Sequence, residues 1–245
     1  MRRRAHPSTR VLPDGSVVQN RLLCALPTAD FERIAAHVRL RSTAIGETLH
    51  EQGRRVLDVY FPNSGVFSVT NRMRDGTLIE VATVGREGML GVGLFLGDRS
   101  GAGRTFQQVP DGPVATLRAA RFVKEARGCR AFHDLIARYT QATLLQTMQS
   151  VACNALHDVT QRCCRWLLQT HDRVDTDDFP LKHEFLAVML GVRRPTVTVV
   201  LDALQRTGVI ASGYGRIQVL KRRTLEARSC ECYDAIRQNF VRLGL

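Results

Sequence analysis

Aromatic residues are scarce in this 245-residue chain, at 6% with a single tryptophan, and apolar residues never run long. The longest such stretch, Phe185 to Val192, is about eight residues where a bilayer-spanning helix needs roughly 20, so no membrane partner is expected. The start, Met1-Arg2-Arg3-Arg4-Ala5-His6-Pro7, has no apolar stretch behind its arginines, which argues against a signal peptide and for a cytoplasmic protein. No Gly-X-Y or low-complexity period occurs, and 44% hydrophobic residues suit a globular chain, so fibrous and wholly disordered classes drop out.

No C-x-x-C occurs among the seven cysteines (Cys24, Cys129, Cys153, Cys163, Cys164, Cys230, Cys232), whose odd number and irregular spacing fit a reducing compartment. Cys230-x-Cys232 comes nearest to it. One pair of ligands does not make a zinc site and no four-cysteine set has cluster-like spacing, so the thiols are read as small hydrophobes and no metal is expected. Catalytic signatures are missing as well: G-x-S-x-G, H-E-x-x-H, a Walker loop and a dinucleotide fingerprint. Gly85-x-x-Gly88-x-x-Gly91 is a weak glycine pattern that turns explain equally well. No catalytic residue is assigned, and the chain is not read as an enzyme.

Positive charge, by contrast, is abundant: 35 Lys and Arg against 23 Asp and Glu give a net charge of +12. Residues 1–20, Arg-rich and broken by Pro7, Pro13 and Gly15, read as a flexible arm. Residues 21–128 open on a helical stretch with Thr28 as its N-cap. Short strand-like runs then follow at Asp58–Pro62, Gly65–Thr70, Thr77–Val84 and Gly112–Leu117. Asp75-Gly76 lies between two of them as a hairpin turn, since both residues tolerate positive φ. The pattern predicts an antiparallel, jelly-roll-like β-roll. Residues 129–156 form a long helix whose Phe132, Leu135, Tyr139, Ala142, Leu145, Met148, Ala152 and Ala155 recur at helical spacing. That apolar face exceeds what one small domain needs and is read as a homodimer seam; the competing reading packs it on its own domain. Residues 157–245 follow, with a helix from about His157 to Arg173, an acidic loop at Asp175–Pro180 and a last unit. The fold class is therefore α+β.

The most informative stretch is Leu181 to Leu220. A short helix ends at Gly191, which adopts a left-handed conformation without penalty, and a second begins at Pro195 and stops at Gly208. Val197, Val200, Leu201 and Leu204 face inward while Arg193, Arg194, Thr196 and Thr198 gather at the second helix's N-terminal end. Arg offers a fork to guanine and Thr a bond to phosphate or a thymine methyl contact, as in a helix-turn-helix reading double-stranded DNA. Ser212-Gly213-Tyr214-Gly215-Arg216 makes a hairpin wing with Arg216 at the sugar-phosphate backbone. Residues 182–245 hold eleven basic against five acidic side chains, the footprint of a phosphate binder. Amphipathic helix pairs ending in Gly are also common in proteins that bind nothing, and the wing and basic tip set this one apart. The stretch after Arg223, with Leu225, Cys232, Ile236 and Phe240, reads as an extra helix packed on the winged unit.

A β-roll, a long helix and a winged helix-turn-helix in that order resemble the Crp/Fnr family of bacterial transcription regulators over roughly residues 20–221. Gly85-Arg86-Glu87-Gly88-Met89-Leu90-Gly91 and Leu190-Gly191-Val192-Arg193-Arg194-Pro195-Thr196-Val197-Thr198 carry the likeness. The resemblance implies base reading by Arg194, phosphate contact by Thr196, backbone contacts by Lys182 and His183, a wing contact by Arg216, and RNA polymerase as a further partner. Pro195 and Val199 stand where many members have a glutamate and a second arginine, so the operator should differ. Members that bind cyclic AMP use a Gly-Glu pair and a closely following Arg-Ser or Arg-Thr. Here the candidates Glu87, Arg104 and Thr105 have mismatched spacing, with Arg86 interposed. Cyclic AMP is therefore not the expected effector, no cofactor is assigned, and Glu87 and Arg104 are read as surface charges. Met89 and Phe95 read as core residues; His37, His50, His133 or Cys24 could be axial haem ligands, though a lone His is usually unligated. A cyclic-nucleotide-binding signalling protein is the alternative function.

Overall fold

The structure, a computed structural model, describes residues 9–245. It opens on a small hairpin, β1 (Arg10–Val11) and β2 (Val17–Val18), closed by a turn with Gly15 at φ 83°. This corrects the flexible-arm reading for residues 9–20. Pro13 and Gly15 shape a turn rather than break order, and Leu12 and Val18 are buried, which anchors the hairpin on the roll. The remainder of the expected arm lies outside the described residues.

Asn20 then caps α1 (Arg21–Cys24), its side chain accepting from the Leu22 and Leu23 amides. α2 (Thr28–Ala35) buries Phe31, Ile34 and Ala35. The roll is built from β3 (Arg39–Arg41), β4 (Thr48–His50), β5 (Asp58–Pro62), β6 (Val66–Arg72), β7 (Leu78–Val84), β8 (Arg104–Val109) and β9 (Val114–Arg118). They form two antiparallel sheets in the orders β4-β8-β6-β7 and β3-β9-β5. The Asp75-Gly76 turn joins β6 to β7 as its residues predict: Gly76 has φ 87° and the Asp75 carboxylate accepts from the Thr77 amide at 2.9 Å. β3, β4 and β8 were not legible, being short or rich in polar residues.

α3 (Ala119–Gly128) and α4 (Arg130–Leu156) close one side of the roll, with Phe61, Leu117, Phe122 and Phe132 sealed in the core. Gly88 is needed where α4 crosses the roll: a Cβ there would lie 2.5 Å from the Tyr139 hydroxyl, which donates to the Met89 carbonyl at 3.0 Å. Met89 is buried as expected; Phe95 is partly buried against the same core. The anticipated stripe on α4 divides in two. Phe132, Leu135, Tyr139 and Ala142 are consumed inside the chain, because α4 is pressed between the roll and a later helix. The exposed apolar row lies farther along and around the helix, at Leu144 (59% exposed), Met148 (60%), Val151 (67%) and Ala155.

Asp158 starts α5 (Val159–His171) with a capping box to Gln161. Of the expected acidic loop, Asp178–Pro180 is in fact a strand, β10, paired antiparallel with a later one; Pro180 sits at its end on a sheet edge, where its missing N–H costs no ladder bond. α6 (His183–Leu190), α7 (Arg194–Arg206), β11 (Ile210–Gly213) and β12 (Arg216–Val219) complete a second core around Trp166, Leu186, Val197, Leu201 and Ile217. The C-terminal stretch is two helices, α8 (Arg222–Arg228) and α9 (Cys232–Arg242). α8 joins the second core through Leu225, but α9 lies along α4, with Ile236 and Phe240 in the first core. The winged unit alone does not hold it, contrary to expectation, because its apolar face matches the one α4 leaves open.

Candidate nucleic-acid interface

α6 and α7 are set by their junction. Gly191, at φ 63°, caps α6 in the left-handed conformation, and two residues later Arg193 takes extended angles (φ −77°, ψ 148°) before α7 begins. Val197, Val200, Leu201 and Leu204 are buried against α6 and the wing. The opposite face presents Arg193, Arg194, Pro195, Thr196 and Val199 to solvent at the electropositive end of the helix. β11 and β12 turn through Tyr214 (φ 51°) and Gly215 (φ 71°), the positive pair that a two-residue hairpin demands, and the Tyr214 ring projects fully exposed.

One groove runs between α6, α7 and the wing, lined by Lys182, His183, Glu184, Arg194, Ser212 and Tyr214 among others. Of the residues singled out from sequence it brings together Lys182, His183 and Arg194; Arg193, Thr196, Thr198 and Arg216 do not line it. Lys182 is exposed at the start of α6. Arg194 pairs with Glu184 across the groove at 2.9 Å, both side chains well exposed. His183 Nδ1 and the Thr198 hydroxyl share a 3.1 Å hydrogen bond, and that hydroxyl also reaches the Arg194 carbonyl at 3.3 Å. Thr198 is thus a brace between the two helices more than an open reader, while Thr196 stands free in solvent. Arg216 donates to Asp178 at 2.8 and 2.9 Å on the outer side of the wing. Exposed pairs of this kind contribute about 0–1 kcal/mol, so a phosphate can replace either carboxylate at little cost. Val199 was read only as a departure from the family's pattern and Tyr214 only as part of the wing; both side chains are exposed beside the basic tip, which is unusual for an apolar and an aromatic residue.

The three ligand candidates do not share a site. Glu87 is buried, not a surface charge: Arg173, just past α5, donates to it at 2.7 and 3.0 Å and to the Thr83 hydroxyl at 2.7 Å. Burial pushes the Glu87 carboxyl up, but the Arg173 guanidinium outweighs it and holds it below its ordinary value. Arg86 adds bonds to the Arg173 carbonyl (3.2 Å) and to Asp175 (2.8 Å), so the segment Gly85–Glu87 fastens the roll to the segment that follows α5. Arg104 instead lies over the Phe106 ring and donates to Thr48, near Glu51. Thr105 lines a separate cavity between roll and α4, with His50, Val69, Leu90, Tyr139, Thr143 and Thr147. No Lys or Arg is among the residues lining that cavity. Of the haem candidates, His50 is bonded through Nε2 to the Asp58 carbonyl, and His133 meets the Phe95 ring at a tilt of 58°.

One further constellation went unseen in the sequence. Cys153, His157, Cys230 and Cys232 bring their ligand atoms within 4.8 Å of one another. The one-turn spacing of Cys153 and His157 was the available clue, and its partner pair is more than seventy residues distant.

The architecture is thus a β-roll, a long helix and a winged helix-turn-helix whose second helix begins with a basic, exposed tip. The Crp-like helix-turn-helix domain family matches residues 161–228. Among solved structures, a CRP-family transcriptional regulator from Thermus thermophilus is 23% identical over 77% of this chain and 96% of its own, with a TM-score of 0.64. FixK2 from Bradyrhizobium japonicum is 17% identical over 79% of this chain and 98% of its own (TM-score 0.64). The c-di-GMP-responsive global regulator CLP of Xanthomonas campestris is 20% identical over 79% and 99% (TM-score 0.60). No curated protein sequence matches the chain significantly. The chain shares its fold and order of parts with these regulators, and residues 161–228 match the Crp-like helix-turn-helix domain.

Proposed function

We propose that the chain is a sequence-specific, DNA-binding transcription regulator that acts as a cytoplasmic homodimer. The groove uniting Lys182, His183 and Arg194 with the wing carries this reading. Arg193, Arg194 and Thr196 read base edges in the major groove, and Lys182, His183 and Arg216 hold phosphates. Val199 adds an apolar contact suited to a thymine methyl. Two chains pair through the exposed Leu144, Met148, Val151 and Ala155, whose four-three-four spacing is that of a coiled-coil seam. The two reading helices then meet successive major grooves about 34 Å apart on a near-palindromic site. RNA polymerase is the partner through which such binding changes transcription.

The cavity between roll and α4 is the place for an effector, and its lining favours a largely uncharged ligand over cyclic AMP, whose phosphate would lack a cation. Selection of bound duplexes from a random pool, with sedimentation of the free protein, tests the reading. A recovered palindrome and a dimer support it; a monomer indifferent to duplex sequence at moderate salt overturns it.

A further inference from the structure

Three of the seven cysteines stand apart from the two large hydrophobic cores and form a buried cluster of their own: Cys153 (0% exposed), Cys230 (4%) and Cys232 (1%). They come from two places. Cys153 lies in the last turn of α4, and His157, four residues on, is the residue that ends that helix, so both project from one face. Cys230 lies in the short link between α8 and α9, and Cys232 is the first residue of α9. The docking of Ile236 and Phe240 on the first core delivers this link to the end of α4.

The geometry is that of a ligand shell. Cys153 Sγ lies 3.5 Å from Cys230 Sγ, and Cys232 Sγ lies 3.6 Å from His157 Nδ1. A tetrahedron of ligands about 2.3 Å (sulfur) and 2.0 Å (nitrogen) from one ion has edges of roughly 3.5–3.8 Å. The widest separation, within 4.8 Å, closes by small side-chain rotations. The surroundings match as well. His157 Nε2 lies 3.0 Å from the Glu231 carboxylate, which leaves Nδ1 as the coordinating nitrogen and sets the ring's tautomer and orientation, as second-sphere carboxylates do for metal-bound histidines. Gln149 Nε2 donates to Cys232 Sγ at 3.1 Å, the kind of bond that steadies a thiolate. Simple packing of thiols explains neither the histidine nor its carboxylate. A Cys153–Cys230 disulfide would use two of the four groups and leave the others idle.

We propose that Cys153, His157, Cys230 and Cys232 form a tetrahedral Cys3His zinc site. Three thiolates and one imidazole select Zn2+ over harder divalent ions, and four converging atoms enclose one ion with no open position, so the role is structural. Binding releases the thiol protons. The ion would tie α9 to the end of α4, immediately before α5 leads into the DNA-binding unit.

The test is metal content of the full chain, expressed with zinc in the medium and purified under reducing conditions. About one zinc per chain is expected, with a Co2+-substituted form showing the intense visible bands of a tetrahedral thiolate site. Cys232→Ser and His157→Ala should lose the metal, whereas Cys163→Ser and Cys24→Ser keep it. Glu231→Ala, a surface change that should spare the fold, is expected to weaken zinc retention about 10–100-fold in a chelator competition. Zinc below about a tenth of an equivalent together with no cobalt spectrum overturns the site. Equal metal loss in Cys163→Ser, or a Cys153–Cys230 disulfide whose reduction gives no metal uptake, does the same.

Discussion

Arg194 and Arg216 are both exposed and both paired to a carboxylate, yet one begins α7 and the other stands in the wing, and under the proposed function they should fail differently. Arg194→Ala is expected to cost about 1–3 kcal/mol on the selected site and relax preference at one base pair. Arg216→Ala should weaken all duplexes alike and reduce the salt slope by about one. Binding titrations against matched and mismatched duplexes over a salt series separate the two, and equal loss on every sequence from both changes refutes the division of labour. Glu87 makes a contrasting case. Its motif was visible from the start, but its role depended on Arg173, 86 residues away, whose guanidinium turns a possible ligand group into a buried fastener. Arg173→Ala leaves that carboxylate buried and unpaired, and chemical denaturation should show a loss of about 3–5 kcal/mol.

At the scale of elements, the helix-turn-helix, the wing and the Asp75-Gly76 hairpin were all legible, because Gly191, Gly208, Gly215 and Gly76 stand where the backbone requires positive φ. β10 was not, since three residues ending in proline carry no strand signal and acquire one only from β12 beside them. α4 was legible as a helix but not as to which face it buries. Period alone cannot tell a core stripe from a seam when the two share a helix and wind into each other. The exposed row makes the distinction testable. Val151→Asp, combined with Met148→Asp, should shift the proposed dimer to monomers in sedimentation and abolish tight operator binding while leaving helical content unchanged. A variant still dimeric at micromolar concentration would place the seam elsewhere.

Across the whole molecule, the two domains meet through partly buried polar contacts as well as apolar ones. Glu80 on β7 accepts from the Ser68 hydroxyl at 2.8 Å and from Trp166 Nε1 of α5 at 3.1 Å, and Ser68 also reaches Met189 of α6. Desolvation pushes the Glu80 carboxyl up to about 7, against these hydrogen bonds and the nearby Arg165 and Arg173. The folded chain therefore keeps a proton that the unfolded chain releases near 4.5. Stability from this group should fall as pH rises from about 4.5 to about 7 and then level off, by at most about 3 kcal/mol. Urea unfolding at pH 5 and pH 8, for the native chain and Glu80→Gln, checks it: the variant should lose that part of the pH dependence.

Local chemistry decided the order of the parts: which residues turn, which stretches alternate, where a basic helix end follows a glycine. Those are short-range properties, set by steric limits on φ and by the periods of helix and strand, and a single chain displays them directly. Long-range juxtaposition decided the rest. That Glu87 meets Arg173, that α9 lies on α4, and that His157 faces three thiols all depend on how apolar faces find one another after the elements exist. Burial is a property of the packed whole, so no spacing along the chain records it.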